Sequence, residues 1–225
     1  MEVVARTETE LIQAVREADA AGVPVRVIGP GDPEEPHAAG GRIVRVTARD
    51  LSVNDADCGE DALAFCGAVQ VAVGAGWPWD DVVAMAVQRD WVGIERLSGL
   101  PGSVSGVTAA NARSCGQAVG DAVAAVRTFD READGTRRFA AVDCGFDGEG
   151  SRFSRARLPD GSARYVILSV EFLFRQGDLS DPIRDEGLAR ALGLELGERA
   201  PLERVRTMVL AASGDGSPQV QFRPS

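Results

Sequence analysis

The stretch SGLPGSVSGVTAANARSCGQ, residues 98–117, sets glycine and serine around a Gly-Leu-Pro-Gly turn and runs on to a single asparagine, with no carboxylate or histidine among them. Glycine lets a ligand approach the main chain closely, and backbone N–H groups in a turn cradle a diphosphate without cationic side chains. The pattern therefore points to a nucleotide-like cofactor lying along this segment; a tight structural crossover is the competing use of so many small residues. Other chemistry has few candidates. Cys58, Cys66, Cys115 and Cys144 lack CxxC spacing and the one histidine is His37, so no metal site is expected. All 24 basic residues are arginine, which removes Schiff-base and lysine-base mechanisms. Cys115 is a nucleophile candidate without a histidine to activate it.

The elements that must position this segment are legible in outline. Leu11, Ile12, Val15 and Ala18 recur at helical spacing behind Thr7, with Glu10 three residues on, so a helix with a capping box is expected to open the chain. VPVRVIG (23–29) and GRIVRVTA (41–48) alternate and are β-branched, which predicts two strands around a turn-rich loop and a small β-α-β-like first unit. In the next block, residues 62–76 read as two short strands and WDDVVAMAVQRD (79–90) as a helix. Residues 121–143 read as a hairpin turning at Asp134-Gly135. ARYVILSVEFLFR (163–175) is the longest strand candidate, apolar enough to be buried on both faces. After Gln176 two short helices follow, the second started by Pro201, and then a Gly/Ser/Pro tail that should fray. Trp77, Trp79 and Trp91 read as packing residues.

With 225 residues, 44% of them hydrophobic, the chain can bury a core as one large domain or two small ones. A net charge of −10 argues against a nucleic-acid partner. The acidic, amphipathic N-terminus does not read as a signal peptide and no apolar run approaches a membrane span, so a cytoplasmic protein with no membrane partner is expected.

Read in order, the chain carries GAG and WDD within 74–81, GIERLSGLPGSV at 93–104, Asn111, GQ at 116–117, CGF at 144–146, SRF at 151–153 and RYVILSVEF at 164–172. In these it resembles the UDP-N-acetylenolpyruvoylglucosamine reductases, the flavoenzymes of peptidoglycan precursor synthesis known as the MurB family. The likeness continues more loosely in LIQAVREADAAGVPVRVIGPG and LARALGLELGERAPLERVRTMVLA, and so covers nearly the whole chain. It implies an α+β, two-subdomain FAD-binding fold of the PCMH or vanillyl-alcohol-oxidase type. The first subdomain would span 1–52, the second 53–175, and 176–225 would be a short helical remnant of the family's third domain with a flexible tail. FAD is the cofactor implied, held by Gly29, Gly31, Ser98, Gly99, Leu100, Pro101, Gly102, Ser103, Asn111 and Gly116.

The departures from the family are chemical. Its diphosphate loop is of the Gly-Gly-Gly-Ser-Asn type, where this chain has Gly-Pro-Gly-Asp-Pro-Glu-Glu-Pro at 29–36; prolines remove N–H donors and carboxylates repel phosphate. Ser105, Ala110, Arg113, Cys115 and Ala118 replace the usual residues of the second loop. Aligning CGFDGEGSRF puts Gly148 and Glu149 where the family has a Tyr-Arg pair, whose arginine polarises the substrate's enolpyruvyl carboxylate. The family's proton-donating serine and late glutamate would fall beyond Ser225. Glu149 and Arg152 are then the candidate catalytic residues of whatever chemistry remains, and Arg113 a candidate for binding an anionic ligand.

The expectation that follows is a MurB-like protein repurposed in specialised metabolism as a flavin-dependent oxidoreductase, acting on a small molecule and not on the peptidoglycan precursor. Two alternatives stand beside it: a flavin-independent enzyme, such as a cyclase using the vacated cavity, and a non-catalytic partner module whose open face a homodimer would cover.

Overall fold

The structure, a computed structural model, describes residues 2–34, 41–54 and 67–214. Glu35, Pro36, His37, Cys58 and Cys66, the first of the two strands expected within 62–76, and the tail from 215 on lie outside the described residues.

The chain opens with strand β1 (Glu2–Ala5), then helix α1 (Glu8–Ala20), β2 (Val25–Ile28) and β3 (Arg42–Val46). The expectation of a helix at the very start is corrected: four residues are too few to show a period, yet Val3 and Val4 pair in register with Val44 and Arg45. The three strands form a parallel sheet in the order β1-β3-β2, with α1 packed on it through Leu11, Ala14, Val15 and Ala18. Thr7 Oγ1 caps α1 by accepting the Glu10 N–H at 3.1 Å. The Glu10 carboxylate reaches back past the cap to accept the Arg6 N–H at 2.7 Å.

A second, antiparallel sheet follows, and its first strand β4 (Leu51–Asn54) spans the division expected at residue 52. After β5 (Ala68–Gly74) come α2 (Trp79–Gln88), the short β6 (Trp91–Val92) and a 3-10 turn at Glu95–Leu97. Next are α3 (Val104–Ala109) and a small hairpin, β7 (Arg113–Ser114) with β8 (Gln117–Ala118). The predicted hairpin is β9 (Val123–Asp130) and β10 (Gly135–Ala140), with Asp134 at φ +47 in its turn. A single-turn helix α4 (Arg152–Arg155) leads into β11 (Tyr165–Gln176). The order is β10-β9-β11-β5-β4, with β6 against the end of β11. β11 is buried on both faces only from Tyr165 to Leu168; Leu173 and Arg175 reach solvent, so the expectation of continuous burial fails in its second half.

Trp79 is wholly buried, its Nε1–H donating to the Leu97 carbonyl at 2.9 Å, and Trp91 stacks on Phe174 at 5.7 Å. Beyond the sheet, α5 (Glu186–Leu192) and α6 (Leu202–Gly214) enclose a small core of Ile183, Leu188, Leu192, Val205 and Val209. Among the described residues no helix is long and apolar enough to cross a membrane. The architecture is mixed α+β.

Candidate functional site

Two glycine-bearing loops face each other where the parallel sheet meets the antiparallel one. The first leaves β2 at Gly29. Pro30 followed by Gly31 at φ +76 is the residue pattern of a type II turn, closed by the Asp32 N–H donating to the Gly29 carbonyl at 3.3 Å. The turn brings the Asp32 side chain back over the strand end, where Oδ2 accepts the Gly29 N–H at 2.7 Å. The second loop supplies Ser103, whose N–H donates to Asp32 Oδ1 at 2.7 Å and whose hydroxyl donates to Oδ2 at 2.8 Å.

Ser103 also caps α3, its Oγ accepting the Gly106 N–H at 3.1 Å. The glycines on this side make room for the carboxylate: a Cβ on Gly106 would lie 2.2 Å from Asp32 Oδ1 and one on Gly102 would lie 3.0 Å from it. The loops also touch directly. A Cβ on Gly29 would meet Ser103 Cβ at 2.3 Å, and one on Gly31 the Gly102 nitrogen at 3.1 Å.

The rest of the second loop is turned toward the C-terminal helices. The Gly99 N–H donates to Asp80 Oδ1 at 2.7 Å, and Asp80 forms a two-pronged pair with Arg206 of α6, both contacts at 2.7 Å. Arg206, reinforced by the Gly99 N–H, holds the Asp80 carboxyl below the usual carboxylate range. Ser98 is buried, its hydroxyl donating to the Glu95 carbonyl at 2.7 Å; Leu100 is core and Pro101 is exposed. Asn111, at φ +45, is buried and committed, donating to the Asp147 carbonyl at 2.8 Å and accepting the Gly120 N–H at 2.9 Å. Gly116 is exposed at φ +72, with Asp185 its nearest neighbour.

Of the ten positions expected to bind a cofactor, the structure thus brings together Gly29, Gly31, Gly102 and Ser103. Ser98, Gly99, Leu100 and Pro101 lie along the approach to α6, and Asn111 and Gly116 stand apart. Asp32 and Asp80 are the side chains that organise both loops. The sequence marks Asp32 only as a charge in the first loop, and Asp80 only as part of the WDD segment that opens α2.

The candidate catalytic pair is separated. Glu149 is exposed in a turn closed by Asp147 and Gly150, its N–H donating to Asp147 Oδ1 at 2.9 Å, and it lines neither of the two hollows described below. Arg152 is exposed too, its guanidinium 5.1 Å above the Phe139 ring. Burial raises the Cys115 thiol above its ordinary value, and burial with the neighbouring Asp143 pushes Cys144 up to about 11, so neither is primed as a nucleophile. Among the described residues no group of three or more His, Cys, Asp or Glu side chains could hold a metal ion.

Two hollows accompany the loops. One, of about 150 Å³, runs between the sheets from Asp32 and Gly106 to Phe153 and Tyr165 and is mostly apolar. That is below the roughly 300–1,000 Å³ of typical small-molecule sites. Arg131 borders it, yet its guanidinium is spent on Asp19, Ser162 and the Ala163 carbonyl. The other, about 360 Å³ and open, is lined by Asn111, Arg113, Asp121, Val142 and Phe146.

The N–H groups of Gly29, Gly99 and Ser103 are three of the donors these loops could offer a diphosphate. All three are bound to carboxylates of the chain itself, and the two loops are in contact. In this arrangement those three donors are closed to a diphosphate.

Comparison with known proteins gives the lineage. Residues 1–139 match the family described as FAD binding domain. The chain is 41% identical over 211 residues to the UDP-N-acetylenolpyruvoylglucosamine reductase of Cutibacterium acnes, covering 93% of this chain and 53% of that protein. The chain spans about half the length of the curated relatives it matches. The MurB structure from Thermus caldophilus superposes with a TM-score of 0.58 at 21% identity, over 98% of this chain and 64% of that one. A VAO-type flavoprotein from Myceliophthora thermophila superposes with 0.53 at 12% identity, over 78% of this chain and 32% of that one. The shared fold is therefore that of MurB and VAO-type flavoproteins.

Proposed function

Because the chain belongs to the FAD binding domain family, we propose that it is a MurB-like protein turned to a use other than the reduction of UDP-N-acetylenolpyruvoylglucosamine, with a small molecule as its ligand. The observation that carries this reading is the turn at 147–150. Reduction of an enol ether that bears a carboxylate is helped by a cation at that carboxylate, which steadies the charge developing next to it. Where the resemblance aligns the arginine that does this, the chain has Glu149, exposed and fixed by its own N–H to Asp147. The two arginines that follow it are engaged elsewhere: Arg155 pairs with Asp147 at 2.8 Å and Arg152 lies over Phe139.

The full-length protein, supplied with FAD, NADPH and UDP-N-acetylenolpyruvoylglucosamine, is expected to consume no NADPH above the rate without substrate. Substrate-dependent NADPH consumption that yields the reduced sugar acid would overturn the reading.

A second reading, flavin-independent chemistry governed by shape, is favoured by one feature. The hollow between the sheets is mostly apolar and is bounded by Asp32 on the side where the loops meet.

A further inference from the structure

We propose that the Asp32 carboxylate occupies the anion position of the dinucleotide cradle and latches its two glycine loops together, so that the chain excludes a diphosphate until that carboxylate leaves. The inference stands on the loop geometry and does not depend on whether the chain reduces any substrate. Bare N–H groups converging from two loops form a receptor for anionic oxygens. Here the converging donors are the Gly29 N–H, the Ser103 N–H and the Ser103 hydroxyl, and the two oxygens that accept them, at 2.7 to 2.8 Å, belong to one carboxylate.

Charge-assisted bonds of this length are among the strong ones. They also join segments 71 residues apart, so the carboxylate ties the loop after β2 to the start of α3 as well as filling the notch. The fit is close: the carboxylate rests where a side chain on Gly106 would have to go. A diphosphate arriving from solution meets three obstacles. Its donors are taken, the loops touch at Gly29 and Ser103, and the displaced carboxylate would remain near it as a like charge.

Three full-length proteins test this: wild type, Asp32→Ser and Asp32→Asn. Serine removes the charge and the reach, whereas asparagine keeps the shape and loses the charge. Each is titrated with FAD and separately with ADP, binding being followed by calorimetry and the melting temperature by circular dichroism. Both variants should melt lower than wild type without ligand, since the latch is cut. Asp32→Ser should bind FAD and ADP at least about tenfold more tightly than wild type, a change of 1.4 kcal/mol. FAD should raise the melting temperature of Asp32→Ser and leave that of wild type in place.

Wild type binding FAD as tightly as Asp32→Ser would overturn the proposal, and so would failure of both variants, folded by circular dichroism, to bind either compound. Should Asp32→Ser not fold, Asp32→Asn decides alone: tighter ADP binding than wild type supports the latch, and equal binding refutes it.

Discussion

Asp130 accepts two N–H groups of Arg164, at 2.9 and 2.8 Å, and this pairing holds its buried carboxyl below the usual carboxylate range. A carboxyl depressed in the folded state adds stability above its unfolded value, near 4, and loses that contribution as pH falls through the folded value. Asp130→Asn should therefore cost about 1–3 kcal/mol of unfolding free energy at neutral pH. The gap to wild type should begin to narrow as pH falls below about 4 and close only below the lower folded value, as urea unfolding at neutral pH and at a series of pH values below 4 will show. At this scale the sequence is legible for residue types that imply a geometry and opaque for partners. Glycine at 31, 102 and 116 reports positive φ, and each of the three adopts it. That the carboxylate for Ser103 would come from Asp32 depends on a fold that carries one segment to another 71 residues away, and no local pattern encodes that. Glu149 shows the converse: a residue aligned with a catalytic position lies in a solvated turn, because Phe-Asp-Gly-Glu-Gly is itself a strong turn sequence.

Among elements, α6 is tied to the rest of the chain by a few polar contacts as well as by its apolar face. It lies over the turn at Ser98 and Gly99, where a Cβ on Gly99 would come 2.9 Å from Leu210 Cδ2. One polar anchor is the Arg206 pair with Asp80, which in turn accepts the Gly99 N–H; another is Arg204, which donates to the Leu192 carbonyl at 2.7 Å. Arg206→Ala should lower stability by about 1 kcal/mol, since the pair is partly solvated. Amide exchange at Val205 and Val209 should speed up by roughly tenfold, with β11 unchanged; equal acceleration in both would mean that α6 is not a separately opening unit. The long elements, α1, α2 and the β9-β10 hairpin, are legible because they repeat a period often enough to show it. Of the short ones, β2, β3 and α5 are legible and β4 and α3 are not. β4 has four residues, and α3 carries Gly106 and Thr108 in six, so its helix rests on the Ser103 cap and the burial of Val104 and Val107.

Across the sheets, arginines add polar ties to a shared apolar core. Arg131 gives two N–H groups to Asp19 of α1 and two more contacts to Ser162 and the Ala163 carbonyl, with its side chain 2% exposed. Arg127 pairs with Glu8 and Arg16 with Asp134 along the same seam. Removing one partner of a buried charged pair leaves the other unpaired, so Arg131→Met should cost about 2–4 kcal/mol in urea unfolding. All three tryptophans lie in the part of the chain that forms the antiparallel sheet and its helices. Coincidence of their fluorescence transition with that of circular dichroism tests whether the sheets still unfold as one, and separate transitions in the variant would identify the Arg131 contacts as the coupling. The mixed architecture and its flavoprotein lineage are legible at this scale, because many matched segments in order outweigh local substitutions. The seam is not, since arginine on a strand reads equally as a solvated face.

The notch around Asp32 also bears on what glycines in such loops signify. A Cβ on Gly106 would begin 2.2 Å from the Asp32 carboxylate and one on Gly29 would abut Ser103, so a side chain at either glycine must displace the Asp32–Ser103 contact whether or not a ligand is present. The small residues at these positions thus have a packing use that needs no bound nucleotide. A glycine-rich stretch of this kind therefore marks close packing of the chain on itself as much as room for a cofactor.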